Sequence, residues 1–174
     1  GMAQHGGVTR LGSGNLLMAY VHVGHDCVVG DHVIMANNAS LSGHVHVGDG
    51  ANLGGYAGVP QFRSIGAHAF VGGMSLVTKD VPAFVSVSGN PASAFGLNLV
   101  GLKRRGFSQE SIAALRRAYR TVYREGLLVT EALERIDALA RDVPEVAIFR
   151  DSVADSHHGI IRERRGAGAD PDEA

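Results

Sequence analysis

Aliphatic residues recur at every sixth position along the first half of the chain. From Leu11 to Val77, counting in steps of six, all twelve positions hold Leu, Val, Ile or Met. The series is Leu11, Leu17, Val23, Val29, Met35, Leu41, Val47, Leu53, Val59, Ile65, Val71 and Val77. A period of six matches neither the 3.6-residue period of a helix nor the two-residue alternation of a long strand. It indicates a β-solenoid, in which short strands point aliphatic side chains inward and a small residue turns each corner.

The pattern changes near Gly106, after which apolar residues follow helical spacing. Ser108 can cap a first helix, which Gly126 ends. Thr130 can cap a second helix, and Pro144 suits the first turn of a third. The second half of the chain is therefore predicted to be helical.

These two patterns divide the chain into three parts. Residues 1–100 are predicted to form the solenoid, and residues 101–162 an α-helical domain. Residues 163–174 are charged and Gly-rich, and we expect a disordered tail there. The predicted class is an all-β solenoid plus α.

The composition agrees with a narrow solenoid and excludes several classes of function. The chain has 24 Gly, no Trp and only 6% aromatic residues, so small aliphatic side chains must build the core. The net charge of −1 argues against a general binder of nucleic acid or anionic membranes. No apolar run approaches the ~20 residues of a membrane-spanning helix. Cys27 is the only cysteine, which excludes an intrachain disulfide and favours the reducing cytoplasm.

The period of six also predicts which polar residues meet. Three repeats make one triangular coil, so residues eighteen apart stack, with strands ~4.8 Å apart. His25, Gly43 and Gln61 then form one column at a corner, and Asp26 and His44 form the column beside it. A histidine can take a proton from a hydroxyl group, and a glycine N–H can stabilise an oxyanion. This corner is therefore a candidate site for acyl transfer.

Several motifs in the chain resemble one branch of the hexapeptide-repeat acyltransferases, the UDP-N-acetylglucosamine O-acyltransferases of lipid A biosynthesis. The resemblance runs from about Gly6 to Arg162 and implies a left-handed parallel β-helix, a hand that periodicity alone does not give. The family has further coils before the point that corresponds to Gly1, so this chain is expected to begin within the solenoid. The motifs are His22–Cys27, Ala36–Asn38, Leu41–Val45, Gln61–Phe62 and the Gly101–Ser108 run Gly-Leu-Lys-Arg-Arg-Gly-Phe-Ser.

The resemblance assigns roles to individual residues. It makes His25 the general base. The position of Asp26 beside His25 suits it to orient or polarise the imidazole, and Gly43, which has no Cβ to block close approach, is expected to be the oxyanion donor. The resemblance makes Gly73 the residue that limits acyl-chain length. The residues that it places against the substrate are His22, His44, Gln61, Asn98, Arg104 and Arg105.

The resemblance also implies a reaction and partners. The enzyme transfers a 3-hydroxyacyl group from acyl carrier protein to the 3-hydroxyl of UDP-N-acetylglucosamine. The family uses no cofactor or metal, and it forms homotrimers with active sites in the clefts between subunits. Two positions depart from the family pattern: Pro60 replaces a histidine and Val100 replaces an acidic residue, both near the expected nucleotide.

Two other functions remain open at this stage. A zinc-dependent hydratase of the carbonic anhydrase type could draw nitrogen ligands from His22-x-x-His25 and His44-x-His46. A non-catalytic or truncated hexapeptide scaffold is the other, because solenoid coils often serve only as structure.

Overall fold

The computed structural model describes residues 7–164, and its first half is a solenoid of two-residue strands. Each strand contains one of the predicted aliphatic residues as its second member, from Leu11 to Val71. The strands are β1 (Arg10–Leu11), β2 (Leu16–Leu17), β3 (His22–Val23), β4 (Val28–Val29), β5 (Ile34–Met35), β6 (Ser40–Leu41), β7 (His46–Val47), β8 (Asn52–Leu53), β9 (Gly58–Val59), β10 (Ser64–Ile65) and β11 (Phe70–Val71).

Each of the strands β1 to β8 pairs in parallel with the strand eighteen residues further along the chain. The register pairs Arg10 with Val28, and Val28 with His46. This pairing produces three flat faces, formed by β1-β4-β7-β10, by β2-β5-β8-β11 and by β3-β6-β9. The eighteen-residue stacking that the sequence predicts is therefore present.

The face of β2-β5-β8-β11 continues into a hairpin that the sequence analysis did not predict. Strand β12 (Val85–Gly89) pairs in parallel with β11 and antiparallel with β13 (Ala92–Leu97). The peptide bond between Asn90 and Pro91 in the turn is cis. The hexapeptide period ends at Val77, so it carries no information about this segment.

The solenoid core contains the aliphatic series and a second set of small residues two positions earlier in most repeats. Residues from Val29 to Val77 in the series are at most 3% exposed. Leu11 and Leu17, in the first described coil, are 51% and 38% exposed. The second set comprises Cys27, Val33, Ala39, Val45, Ala51, Ala57 and Ala69, all of them fully buried.

The corners differ from the prediction in one respect. The residue in the left-handed region is three positions after each aliphatic residue, and it is usually not glycine. The small residue directly after the aliphatic residue instead allows the next coil to come close: a Cβ at Gly48 would lie 2.5 Å from the Ala67 nitrogen. The non-glycine left-handed residues of the hexapeptide corners are Tyr20, Asp26, His32, Asn38, His44, Tyr56, Phe62, His68 and Met74, with φ between 55° and 63°.

Four helices follow the hairpin: α1 (Leu99–Arg104), α2 (Gln109–Arg124), α3 (Val129–Asp142) and α4 (Pro144–Ala154). The Ser108 hydroxyl caps α2 by accepting from the Ser111 N–H at 3.0 Å, and Gly126 follows that helix with a φ of 70°. Pro144 begins α4 as predicted.

The prediction for the helical domain needs one correction and one addition. Thr130 does not cap α3, because the helix already begins at Val129, and the Leu128 N–H donates to the Glu131 carboxylate at 3.0 Å. Helix α1 was not predicted, since six residues are too few to show a helical period.

The predicted disordered tail begins too early at residue 163. Glu163 forms a β-bridge with Ala94 and accepts hydrogen bonds from Tyr119 at 2.7 Å and from Arg124 at 3.2 Å. Its carboxylate therefore ties the end of the chain to α2 and β13. Residues 165–174 of the predicted tail lie outside the described residues. No helix within residues 7–164 is long and apolar enough to cross a membrane.

Strand β4 offers a matched test of the core, because Val29 is 2% exposed and Val28 is 40% exposed. Val29→Ala should lower the free energy of unfolding by about 1.5–3 kcal/mol, since it removes buried methyl groups and leaves a cavity. Val28→Ala should change it by less than about 0.5 kcal/mol. Denaturant unfolding followed by circular dichroism measures both. Equal effects would contradict the inward and outward assignment.

Candidate active site

His25, Asp26 and His44 meet at the corner between β3 and β4, called the His25 corner below. The His25 Nδ1 lies 2.8 Å from Asp26 Oδ2, and the His44 Nε2 lies 3.7 Å from the same oxygen. The two imidazole rings meet edge to face with centroids 5.1 Å apart. The Asp26 side chain is 15% exposed, whereas those of His25 and His44 are 49% and 42% exposed. One largely buried carboxylate is thus shared by two accessible imidazoles.

Gly43 lies directly against the His25 ring. A Cβ at this position would be 2.5 Å from His25 Cε1 and 2.6 Å from His25 Nε2, so a side chain here would displace the imidazole. Among residues 7–164 the Gly43 N–H has no hydrogen-bond acceptor, whereas the next N–H, that of His44, donates to the His25 carbonyl at 2.9 Å. Gly43 therefore offers an unused backbone donor beside the His25 ring.

The column continues through Gln61 and Phe62, one coil further. Gln61 is exposed, and the Phe62 N–H donates to the Gly43 carbonyl at 3.2 Å. The Phe62 ring stacks on His44 with centroids 4.7 Å apart, which holds the His44 imidazole beside Asp26. Phe62 was not predicted to have a role, although its position eighteen residues after His44 indicates this contact.

A hollow of about 300 Å³ adjoins this corner. Asp26, His44 and His46 line it from the solenoid, and His157 and His158 line it from the loop after α4. His46 points outward from a flat face, as expected, but it faces this hollow rather than open surface. His22 is exposed on the neighbouring strand β3.

Three other predicted site residues lie on the opposite side of the solenoid. Asn98, Arg104 and Arg105 line a groove of about 470 Å³, called the α1 groove, which includes Ile34 and Phe70 of β5 and β11. The face of β5 and β11 does not border the His25 corner, which joins the other two faces. Within one chain the two groups of predicted residues therefore do not meet.

Asn98 has a clear structural role at the start of α1. Its side-chain oxygen accepts from the Gly101 N–H at 3.1 Å, and its amide nitrogen donates to the His68 carbonyl at 3.0 Å. Asn98 thus joins α1 to the corner that holds His68.

His68 fixes the position of Arg105, and the sequence analysis missed it. The Arg105 guanidinium donates to the His68 Nδ1, and the imidazole lies between Phe84 and Phe107, with ring centroids 5.5 and 5.1 Å away. Burial, and then the nearby Arg105 charge, lower the pKa of His68. Gly50 makes room, because a Cβ there would overlap the Arg105 guanidinium.

Gly73 lies on the third corner of the solenoid, between the β2-β5-β8-β11 and β3-β6-β9 faces. It is exposed, and a Cβ there would lie 3.2 Å from the Gly55 carbonyl oxygen. The glycine leaves this surface open.

The donor set for a metal differs from the one considered in the sequence analysis. Among the described residues, ligand atoms within 4.8 Å of one another come from His25, Asp26 and His44. His22 and His46 do not join them, so the histidine set of the zinc hydratase alternative does not converge in this chain.

Cys27 is buried in the core beside this site. Its Sγ donates to the Ser42 carbonyl at 3.0 Å, and burial raises the pKa of the thiol. These features suit a small core side chain rather than a thiolate nucleophile.

The chain matches two family models and several curated relatives. Residues 80–161 match domain 2 of UDP-N-acetylglucosamine O-acyltransferase, and residues 9–43 match the bacterial transferase hexapeptide repeat. The acyl-[acyl-carrier-protein]–UDP-N-acetylglucosamine O-acyltransferase of Azotobacter vinelandii is 61% identical over 162 residues, and that of Pseudomonas fluorescens is 54% identical. These alignments cover 93% of this chain and 63% of each relative. The chain therefore spans less than two thirds of their length.

Solved structures give the same result. The UDP-N-acetylglucosamine O-acyltransferase of Moraxella catarrhalis superposes with a TM-score of 0.87 at 48% identity, covering 89% of this chain and 60% of that one. The Francisella novicida enzyme superposes with a TM-score of 0.91 at 39% identity, covering 100% of this chain and 64% of that one. These superpositions confirm the predicted left-handed parallel β-helix with C-terminal helices. Over the part of their length that it spans, the chain is therefore similar in sequence and in fold to UDP-N-acetylglucosamine O-acyltransferases.

Proposed function

We propose that this chain transfers a 3-hydroxyacyl group from acyl carrier protein to the 3-hydroxyl of UDP-N-acetylglucosamine, the first step of lipid A biosynthesis. The observation that carries the proposal is the His25–Asp26 pair, 2.8 Å apart, with Gly43 against the imidazole. The similarity to UDP-N-acetylglucosamine O-acyltransferases supplies the substrate class. We assign the reaction to the cytoplasm, because a free thiol such as that of Cys27 stays reduced there.

His25 acts as the general base in this proposal. Asp26 accepts the hydrogen on Nδ1, which leaves the lone pair of Nε2 free to take the proton of the sugar hydroxyl. The hydroxyl oxygen attacks the thioester carbonyl, and the Gly43 N–H stabilises the resulting oxyanion. The tetrahedral intermediate then collapses, the carbon–sulfur bond breaks, and the imidazolium returns its proton to the leaving sulfur. A thiol has a solution pKa near ~8.5 and leaves readily, so the mechanism requires no cofactor.

Substrate contacts follow from the same geometry. His44 is held against Phe62 at the His25 corner, and Gln61 and His22 are exposed nearby. We assign these three side chains to the sugar and the acyl chain. Gly73 leaves its corner open, and we assign it to the limit on acyl-chain length.

The α1 groove receives the nucleotide in this proposal. Arg104 and Arg105 provide guanidinium groups that suit phosphate, and Asn98 provides an amide at the same wall. Val100, which replaces an acidic residue of the family pattern, is 61% exposed in this groove, and Pro60 lies next to Gln61. These two positions are where nucleotide and sugar contacts of this chain differ from the family pattern.

A complete site then requires two copies of the chain, because the His25 corner and the α1 groove lie on opposite sides of the solenoid. We propose a homotrimer, in which the corner of one subunit faces the groove of the next. Exposed apolar side chains favour association in general: Tyr20, Tyr56 and Met74 are 84%, 63% and 71% exposed along the third corner, beside Gly73.

The base is tested by His25→Ala. Loss of a general base should lower kcat by ~10² to 10⁴, with little effect on the fold, because His25 is half exposed. Asp26→Asn should cause a smaller loss, since the base remains. His32→Ala, at another corner, is the control and should leave kcat unchanged. The measurement is acyl transfer from 3-hydroxyacyl carrier protein to UDP-N-acetylglucosamine. Retention of more than about a third of kcat in His25→Ala would show that His25 is not the base.

Nucleotide binding in the α1 groove is tested by substitutions of Arg105 and His68. Arg105→Ala should raise KM for UDP-N-acetylglucosamine by about tenfold or more with little change in kcat, because it removes a charge-assisted hydrogen bond to phosphate. His68→Phe should also raise KM, since it keeps an aromatic ring and removes the acceptor for Arg105. Lys103→Ala, in the same basic run but outside the groove lining, is the matched control. An unchanged KM in Arg105→Ala would mean that the basic run does not contact the nucleotide.

The same contact predicts a pH dependence. A neutral His68 accepts from Arg105, whereas a protonated His68 repels it. Asp49, the other charged group near His68, opposes this effect by favouring the protonated ring. Because the pKa of His68 is lowered below its usual 6.5, nucleotide affinity should be complete at neutral pH and should fall as the pH drops below about 6.5. His68→Phe should remove this component of the pH profile.

The shared site is tested by mixing two impaired variants. In trimers assembled at random from equal amounts of His25→Ala and Arg105→Ala subunits, one cleft in four combines an intact His25 with an intact Arg105. After the two variants are mixed and have exchanged subunits, the rate at low nucleotide concentration should therefore reach about a quarter of the wild-type rate. Light scattering gives the oligomeric state. A monomer, or no gain on mixing, would contradict a site built from two subunits.

A further inference from the structure

The His25 corner has a second chemical property besides base catalysis. We propose that His25, Asp26 and His44 bind one divalent transition-metal ion of the Zn²⁺ type, and that the bound ion switches off acyl transfer. Binding of the ion follows from the donor geometry alone. Its effect on acyl transfer rests on the function proposed above.

The spacing of the donors suits a small ion with nitrogen and oxygen ligands. The Asp26 Oδ2 lies 2.8 Å from His25 Nδ1 and 3.7 Å from His44 Nε2, and the donor atoms of the three residues all lie within 4.8 Å. Ligands ~2.0–2.1 Å from a tetrahedral zinc ion are ~3.3–3.4 Å apart, a value between the two distances to Asp26. Two imidazoles and one carboxylate suit Zn²⁺ and its neighbours better than Mg²⁺ or Ca²⁺.

The surroundings hold two of these donors in place and leave one side open. Phe62 stacks on His44, and the Asp26 carboxylate is largely buried. The two imidazoles remain 49% and 42% exposed. Three protein ligands with a fourth position open to solvent form the arrangement of an accessible zinc site rather than a closed structural one.

Metal binding and base catalysis exclude each other because both depend on Nδ1 of His25. In catalysis Nδ1 carries the hydrogen that Asp26 accepts, so the lone pair is on Nε2. When the ion takes the lone pair of Nδ1, the hydrogen of the neutral ring moves to Nε2, and that nitrogen can no longer accept a proton. The ion also binds the Asp26 carboxylate, which then no longer accepts a hydrogen bond from His25. The metal-bound chain should therefore be inactive and should recover when the ion is removed.

The binding test uses Co²⁺ as a visible probe and Zn²⁺ as its competitor. The metal-free protein is titrated with Co²⁺, and we expect one ion per chain, with d–d absorption that Zn²⁺ abolishes. His25→Ala, Asp26→Asn and His44→Ala should each weaken binding by more than the ~10- to 100-fold that loss of an outer-shell partner costs. His22→Ala and His46→Ala, which remove neighbouring exposed histidines outside the donor set, should bind Co²⁺ as the wild type does. Absence of binding, or equal binding by all five variants, would overturn the proposal.

The functional test measures acyl transfer at increasing Zn²⁺ concentration, with and without EDTA. Inhibition should follow the occupancy measured by Co²⁺ competition and should be reversed by the chelator. If the ion occupies the three donors and transfer continues unchanged, the inhibitory part of the proposal is overturned together with the assignment of His25 as base. If no ion binds while His25→Ala still abolishes transfer, the metal site alone is overturned and the proposed function stands.

Discussion

The parallel ladder between coils is the interaction on which every other feature depends. N–H groups of one coil donate to carbonyls of the next, as from Arg10 to Cys27 and from Val28 to Val45, at 2.8 and 3.0 Å. The register of eighteen residues brings Gly43 against His25 and places His44 beside Asp26. A shift of one residue would turn the inward aliphatic side chains outward and separate these pairs, because neighbouring side chains in a strand point to opposite faces. The hydrophobic core thus fixes the geometry of the site.

The corner residues have strained backbone conformations, which the hydrogen bonds between coils must stabilise. Asp26 and His44 both have left-handed backbone conformations, with φ of 57° and 58°, which residues other than glycine rarely adopt. In this conformation their side chains leave the corner next to each other rather than entering the narrow core. Because the strained residue recurs once per repeat, the same backbone also presents His68 to Arg105 and Phe62 to His44. Repetition of one corner conformation therefore creates several side-chain columns, of which two carry candidate chemistry.

The sequence predicted those features that depend only on the period. An uninterrupted period of six sufficed for the solenoid and for the columns of His25 and Asp26. The hairpin at β12 and β13 lies beyond the last repeat, and the contact of Arg105 with His68 joins residues 37 positions apart in two different kinds of structure. Such a contact depends on how α1 packs against the solenoid, which no spacing in the sequence encodes. The start of α3 was predicted wrongly. Leu128 is the N-cap residue, so Thr130 lies inside the helix and does not cap it.

A solenoid of constant cross-section has flat faces and convex corners, and it offers few enclosed pockets. The His25 corner by itself is convex, so its imidazoles stay about half exposed and water has free access. Acyl transfer to a sugar rather than to water requires exclusion of water from the thioester. In the proposed assembly a more enclosed site is built where the corner of one solenoid faces the groove of another, and α1 forms one wall of that groove around Arg104 and Arg105. In the proposed assembly the C-terminal helices therefore do more than end the β-helix, because α1 forms the wall that the corner of the next subunit would face.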